Sequence, residues 1–330
     1  MTACASPPPA ALKPAAIATL PSPVVTPQPD LSGVLWVDQA FGEIWRIELP
    51  SGAPRKVLKT DTVFPAQPAL PKSGAPLAYM AGEKIGEGYT NRFGIYVDDK
   101  AVIGVHKQLS YQDPALSPDG ATLFATQIGV LADAGNKPTS GSNIVRVPVA
   151  GGSTETVVPE AMQPDVSPDG AQLVYIALDV SQPPSVTRSL RVTDLATGAT
   201  RVVLPDTRFY DVFGPRWLDA NTIIFAAIEQ SPLSRSSPGD AVTRLVDAVL
   251  GMKRAHAHSW VGDVWSVRVD GSELRKLTPQ PLQAPIPAAS PDGAHVAILS
   301  GEGLWVLPAS GGALAKLSDF GGNGGLVWTR

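Results

Sequence analysis

Hydrophobic positions along this chain alternate at period two in short runs, and the runs recur in pairs. Six hairpins stand out, at residues 43–58, 95–105, 144–158, 190–204, 264–277 and 304–317. The first reads Glu43-Ile44-Trp45-Arg46-Ile47-Glu48-Leu49, then a turn at Pro50-Ser51-Gly52, then Arg55-Lys56-Val57-Leu58. This alternation is that of half-buried strands. A second unit falls between the hairpins: Pro114-Ala115-Leu116-Ser117-Pro118-Asp119-Gly120, Pro164-Asp165-Val166-Ser167-Pro168-Asp169-Gly170 and Pro287-Ala288-Ala289-Ser290-Pro291-Asp292-Gly293, each followed by another apolar strand. Proline presets φ in such a turn, aspartate bonds its own backbone and glycine takes the left-handed position.

Degenerate copies begin at Pro68 and Pro215, and the last slot is a lone strand at residues 325–329. The first hairpin is preceded by Val34-Leu35-Trp36-Val37 but by no further strand, so the two ends complete each other. Six four-stranded units over residues 31–330 give a period of about 50 residues, which a β-propeller has and which a sandwich or jelly roll does not need. The expected fold is therefore all-β: a six-bladed β-propeller of four-stranded antiparallel blades, closed by the C-terminal strand completing the first blade. Pro68, Pro114, Pro164, Pro215 and Pro287 share one slot in the first strand of each blade. Proline belongs on strand edges, and the first strand of a blade has a free edge on the channel.

The repeat of an apolar residue, Ser-Pro-Asp-Gly and a second apolar strand, followed by Ile-Trp/Tyr-x-Val and a glycine turn, resembles the TolB-type propeller repeat. The resemblance covers nearly all of residues 31–329 and implies the fold. TolB proteins carry an N-terminal α/β domain, whereas residues 5–30 here are rich in Pro, Ala, Ser and Thr. The domain reading is a disordered tether over 1–30 and a propeller over 31–330 with a helical insertion at 228–262. Within that insertion Ser237, Pro238 and Asp240 make a helix start, Val242, Leu245, Val246 and Val249 an apolar face, and Lys253, Arg254 and His256 a basic end; the helix is expected over 238–255.

Net charge is −4, so no basic face for nucleic acid is expected. Cys4 is the only cysteine. Thr2-Ala3-Cys4-Ala5 resembles the end of a bacterial lipoprotein signal, with Met1 where leucine is usual. That resemblance implies lipidation of Cys4, an apolar leader encoded upstream of Met1, and an extracytoplasmic, cell-envelope location with membrane association by the lipid anchor alone.

Candidate chemistry is sparse. No Gly-x-Ser-x-Gly elbow, phosphate loop or Cys/His cluster occurs, and no cofactor or metal is expected. His256 and His258, two residues apart, do not share a helix face. His106 and His295 are expected on strands, as structural or surface residues. Asp119, Asp169 and Asp292 read as turn formers, and Trp45, Tyr96, Val145, Trp265 and Trp305 as packing between blades. Ligand-binding candidates at channel-facing strand starts are Asp113, Asp165, Asp211 and Arg216. Connections between second and third strands vary most in length, which points to binding on that face of the ring. The resulting expectation is a monomeric, non-catalytic binding or scaffold module for a protein or cell-envelope ligand. The alternative is a propeller enzyme, a metal-dependent lactonase or hydrolase or a lyase, with its site at the channel mouth.

Overall fold

A computed structural model describes residues 30–38, 42–50, 52–59, 63–85, 88–132, 138–182, 185–230, 260–322 and 324–330. The Pro-rich segment with Cys4, the helix expected over 238–255, and His256 and His258 lie outside the described residues.

The strands run in six consecutive blades. Blade one holds β1 (Gly33–Asp38), β2 (Glu43–Leu49) and β3 (Arg55–Lys59), and blade two holds β4 (Val63–Ala69), β5 (Ala78–Ile85), β6 (Gly88–Val97) and β7 (Lys100–Ile103). Blade three comprises β8 (Leu109–Leu116), β9 (Thr122–Ala132), β10 (Pro138–Pro148) and β11 (Glu155–Pro159); blade four comprises β12 (Ala161–Val166), β13 (Gln172–Gln182), β14 (Ser185–Asp194) and β15 (Thr200–Leu204). Blade five is β16 (Asp211–Trp217), β17 (Thr222–Ile228), β18 (Val261–Arg268) and β19 (Arg275–Lys276), with β20 (Leu282–Gln283) added to β18. Blade six is β21 (Ile286–Ala289), β22 (His295–Ser300), β23 (Gly303–Pro308) and β24 (Ala315–Ser318). The final strand, β25 (Leu326–Thr329), is the innermost strand of blade one.

Closure works through that strand. β25 pairs antiparallel with β1, Val34 opposite Thr329 and Val37 opposite Leu326. The Trp328 indole donates to the Ser32 carbonyl at 2.9 Å, and the Trp36 indole to the Thr329 hydroxyl at 3.1 Å. The ring thus joins its ends by hydrogen bonds and leaves no open blade edge at the seam.

Six apolar clusters hold the blades together, one at each interface. Leu35, Val37 and Ile47 of blade one pack on Ala297, Leu299 and Leu304 of blade six, for example, and Ala66 and Met80 of blade two on Leu123 and Val145 of blade three. The aromatic slot of the third strands serves this packing where Trp45 meets Phe320 edge-on at 5.7 Å and Trp265 meets Phe209 at 5.1 Å, whereas Tyr96 stacks on Tyr79 of its own blade at 5.7 Å.

The Ser-Pro-Asp-Gly turns have the expected mechanics. Ser117, Ser167 and Ser290 donate to Asp119, Asp169 and Asp292, whose carboxylates also accept from the amides of Ala121, Ala171 and Ala294. Gly120, Gly170 and Gly293 sit at φ of +71°, +77° and +73°. His295 begins β22 as expected. His106, in contrast, falls in the connection after β7, which ends at Ile103; it is exposed, its Nδ1 accepting from the Gln108 amide.

Candidate functional site

Four of the six inner strands are interrupted one residue before their proline, whereas β21 pairs with β22 in unbroken register through Pro287. The register slips between Ala66 and Ala69, Gln112 and Ala115, Met162 and Asp165, and Phe213 and Arg216. At each slip the residue preceding proline is left-handed: Gln67 at φ 50°, Asp113 at 51°, Gln163 at 55° and Gly214 at 52°. Proline cannot donate to the ladder, and a bulge leaves its neighbour's amide without a strand partner.

The freed amides are satisfied from the preceding blade. Gln67 N donates to Asp38 Oδ2 at 3.0 Å, Asp113 N to Gln67 Oε1 at 2.7 Å, Gln163 N to Thr126 Oγ1 at 2.9 Å, and Gly214 N to Gln163 Oε1 at 2.8 Å. A polar relay thus runs round the channel from blade one to blade five. It meets the requirement that buried backbone donors be paired.

Three of the four sequence candidates converge on this relay. Asp113 accepts from Gln67 Nε2 at 3.2 Å and from Thr126 Oγ1 at 3.0 Å. Asp165 accepts from the Trp217 amide at 2.8 Å. Burial pushes both carboxyls above their ordinary value, while the Arg216 guanidinium, within electrostatic range of each, pulls them back down. Asp211 is not part of the channel: it pairs with Arg188 of β14 on the neighbouring blade, and burial raises its carboxyl against that pull.

Arg216 marks the waist of the bore. On one side a cavity of about 530 Å³ opens at the face of the tight turns and is lined from all six blades, including Lys72, Pro114, Asp165, Trp217, Asp292 and Arg330. On the other a smaller one of about 280 Å³ opens at the face of the long loops, lined by Asp113, Gln163, Phe213 and Trp260 among others. Arg216 lines both. Phe213 and Trp260 stack there at 4.4 Å, and the Arg188 guanidinium lies 5.5 Å from the Phe213 ring.

Two features escaped sequence reasoning. Lys72 reaches across the channel from blade two to the Leu218 carbonyl of blade five, at 3.4 Å; its desolvation lowers its pKa despite the nearby Asp165, Asp219 and Asp292. The available signal was its place in a degenerate turn, where Pro118, Pro168 and Pro291 stand in other blades. The second is a set of exposed apolar side chains at the long-loop face of blades four and five: Val180, Val186, Tyr210 and Val261. Among the described residues no group of three or more His, Cys, Asp or Glu side chains is placed to hold a metal ion.

Fold and repeat together define a six-bladed β-propeller with a polar relay around a two-mouthed channel. A TolB from Acinetobacter baumannii superposes with a TM-score of 0.61 at 15% identity, over 92% of this chain and 68% of that one. A TolB structure from Agrobacterium tumefaciens gives 0.55 at 16% identity, over 88% and 99%. The Kuenenia stuttgartiensis hydrazine synthase gives 0.50 at 16%, over 91% and 81%. At these identities the similarity is one of fold. No protein-family model and no curated protein sequence matches the chain.

Proposed function

We propose that this propeller is a non-catalytic, extracytoplasmic binding module that docks a protein partner on its long-loop face. The observation that carries the reading is the set of individually exposed apolar side chains there. Val186 is 54% exposed and Val261 52%, with Val180 and Tyr210 on the same face of the same two blades. Large apolar residues exposed together are what a protein partner buries. Hydrogen bonding supports a firm platform: Thr187 donates to Asp206 at 2.7 Å, and Arg188 pairs with Asp211, so the β13–β14 hairpin is braced against blade five. Gln230 and Trp260, the described residues on either side of the segment 231–259, stand at this face. The bonding of Asp113 and Asp165 supports a structural role for both, since each is engaged by neighbouring strands.

The N-terminal segment fits the same reading as a tether lipidated at Cys4. An acylated cysteine carrying more than one chain suffices for stable anchoring. In the host, the full-length precursor should label with a palmitate analogue and the Cys4→Ser precursor should not; equal labelling removes the anchor from the account. For the docking face, wild type and the variants Val186→Asp and Val261→Asp should be used as bait from solubilised envelopes. A partner retained by wild type and lost by both variants, with unchanged circular dichroism, is the expected result. Equal retention by all three overturns the assignment to this face.

A further inference from the structure

The polar relay is built twice on a glutamine, and the two copies end differently. Between blades two and three the Gln67 carboxamide is used at both ends: Oε1 accepts from the Asp113 amide at 2.7 Å, and Nε2 donates to Asp113 Oδ1 at 3.2 Å. Between blades four and five Gln163 stands in the same slot, and its Oε1 accepts from the Gly214 amide at 2.8 Å. Glycine has no side chain to take the other end, and among the described residues Gln163 Nε2 has no acceptor. Thr126, which donates to the second oxygen of Asp113, is replaced by Ala226 at the matching register position.

Lack of room does not require this glycine. Gly214 sits at φ 52°, and Asp113 and Gln163 hold the same left-handed conformation at 51° and 55° with full side chains. A Cβ on Gly214 would meet, beyond its chain neighbours, only Pro287 Cδ at 3.9 Å, an ordinary contact. Glycine relieves the strain of a positive φ, but here it also leaves a notch beside an uncommitted amide donor. The notch opens into the long-loop mouth of about 280 Å³, which Gln163, Gly214 and Trp260 line together. Trp260 stacks on Phe213, and the Arg188 guanidinium lies 5.5 Å from the Phe213 ring, so the indole is a braced flat platform. Across the channel the wall is aliphatic, with Pro68 of blade two and Pro114 of blade three. The charged lining is one acid, Asp113, and one base, Arg216, within electrostatic range of each other.

We propose that the long-loop mouth binds an uncharged N-acetylated sugar, its acetamido carbonyl seated in the Gly214 notch as acceptor for Gln163 Nε2 and the apolar face of its ring lying on Trp260. Balanced charge in the lining selects a neutral ligand, because an ionic one would add a charge without a counter-charge. In blade three the equivalent place is filled by an sp² oxygen of Asp113 that accepts from Gln67. An acetamido carbonyl supplies the same acceptor without the charge, and its methyl suits the aliphatic lining. A nucleobase is held best between two flat partners, whereas a sugar ring uses one platform and hydrogen bonds at its edge, which is what Trp260 and the relay offer. A cavity of about 280 Å³ is at the small end for ligand sites, of a size for a single ring. The site uses none of the exposed apolar side chains of the docking surface, and either assignment can fail without the other.

The test uses the full chain and N-acetylglucosamine, with glucose, glucosamine and uridine as comparisons, in titrations followed by ligand-observed NMR. Saturable binding of N-acetylglucosamine is expected, with each comparison weaker by about tenfold or more, equivalent to about 1.4 kcal/mol. Gly214→Asn supplies an acceptor for Gln163 Nε2 as Asp113 does for Gln67, on a residue that tolerates a positive φ. It should lose about tenfold or more in affinity while its thermal midpoint stays at or above that of wild type. Trp260→Ala should lose a similar factor with unchanged circular dichroism; if Gly214→Asn does not fold, Trp260→Ala carries the test. Val186→Asp, on the docking surface, should bind the sugar as wild type does, so a failure of the docking assignment leaves this result standing. Absence of saturable binding, any comparison binding as well as N-acetylglucosamine, or wild-type affinity in Gly214→Asn or Trp260→Ala would overturn the proposal.

Discussion

The turn aspartates and the buried channel aspartates differ in physics, and pH separates them. The Asp169 carboxyl is held below its ordinary 3.8 by Ser167 and the Ala171 amide. A depressed folded value contributes stability above pH 3.8 that is lost as pH falls through the folded value. Asp169→Ala should therefore destabilise at pH 7, and its difference from wild type should shrink on acidification. Asp113 is raised by burial, so the sign reverses. Its linkage contribution is fully present below 3.8 and is lost as pH rises through the folded value. Asp113→Asn should compare better with wild type at pH 7 than at pH 4 in denaturant titrations. Identical pH dependence of the two variants would refute both assignments. The turn aspartates were legible in sequence because their partners are two residues away. The environment of Asp113 was not, because Gln67, Thr126 and Arg216 come from three other strands. Lys72 was hidden for a similar reason: nothing local says that its turn faces Leu218, nearly half the chain away.

Among the elements, the inner strands carry the site. Their prolines announced a channel edge, and the structure puts them there. Alternation at period two does not announce a bulge, since one left-handed residue leaves the hydrophobic pattern on both sides intact. The relay that follows from the bulge depends on contacts between blades and has no local signature. Its weight can be measured at Gln163, whose Oε1 accepts from Gly214 N at 2.8 Å. Gln163→Ala keeps a non-glycine residue at the same left-handed position but leaves that amide without its partner. An unpaired buried donor costs about 1–3 kcal/mol. A loss of stability in that range by chemical denaturation is expected, and a loss under about 0.5 kcal/mol, the ordinary scale of a surface change, would show that the relay is decorative. The insertion in blade five lies between Gln230 and Trp260, and the sequence marked it clearly by interrupting the repeat; its role, unlike its position, depends on what it meets.

For the whole molecule, the count of blades and the closing of the ring were readable because the repeat is nearly regular and its two ends are complementary fragments. Trp328 concentrates that closure: it is 3% exposed, faces Leu35 in the ladder and donates to Ser32. Trp328→Ala should cost about 3–5 kcal/mol and lower the midpoint of thermal unfolding; an unchanged midpoint would contradict a seam made by β25. The proposed docking face was legible only as an inequality of loop lengths, because exposure of Val186 and Tyr210 depends on how two hairpins lean on neighbouring blades. The account turns on that face being covered by a partner in the cell. Its most direct test is photo-crosslinking in the host, with a photoreactive amino acid placed singly at Val186, Tyr210 or Val261, or at Gly198 and Gly312 in turns of the opposite face. Discrete partner adducts from the first three positions and none from the last two are the predicted result. Adducts of equal yield from both faces, or adducts from the tight-turn positions alone, would contradict it.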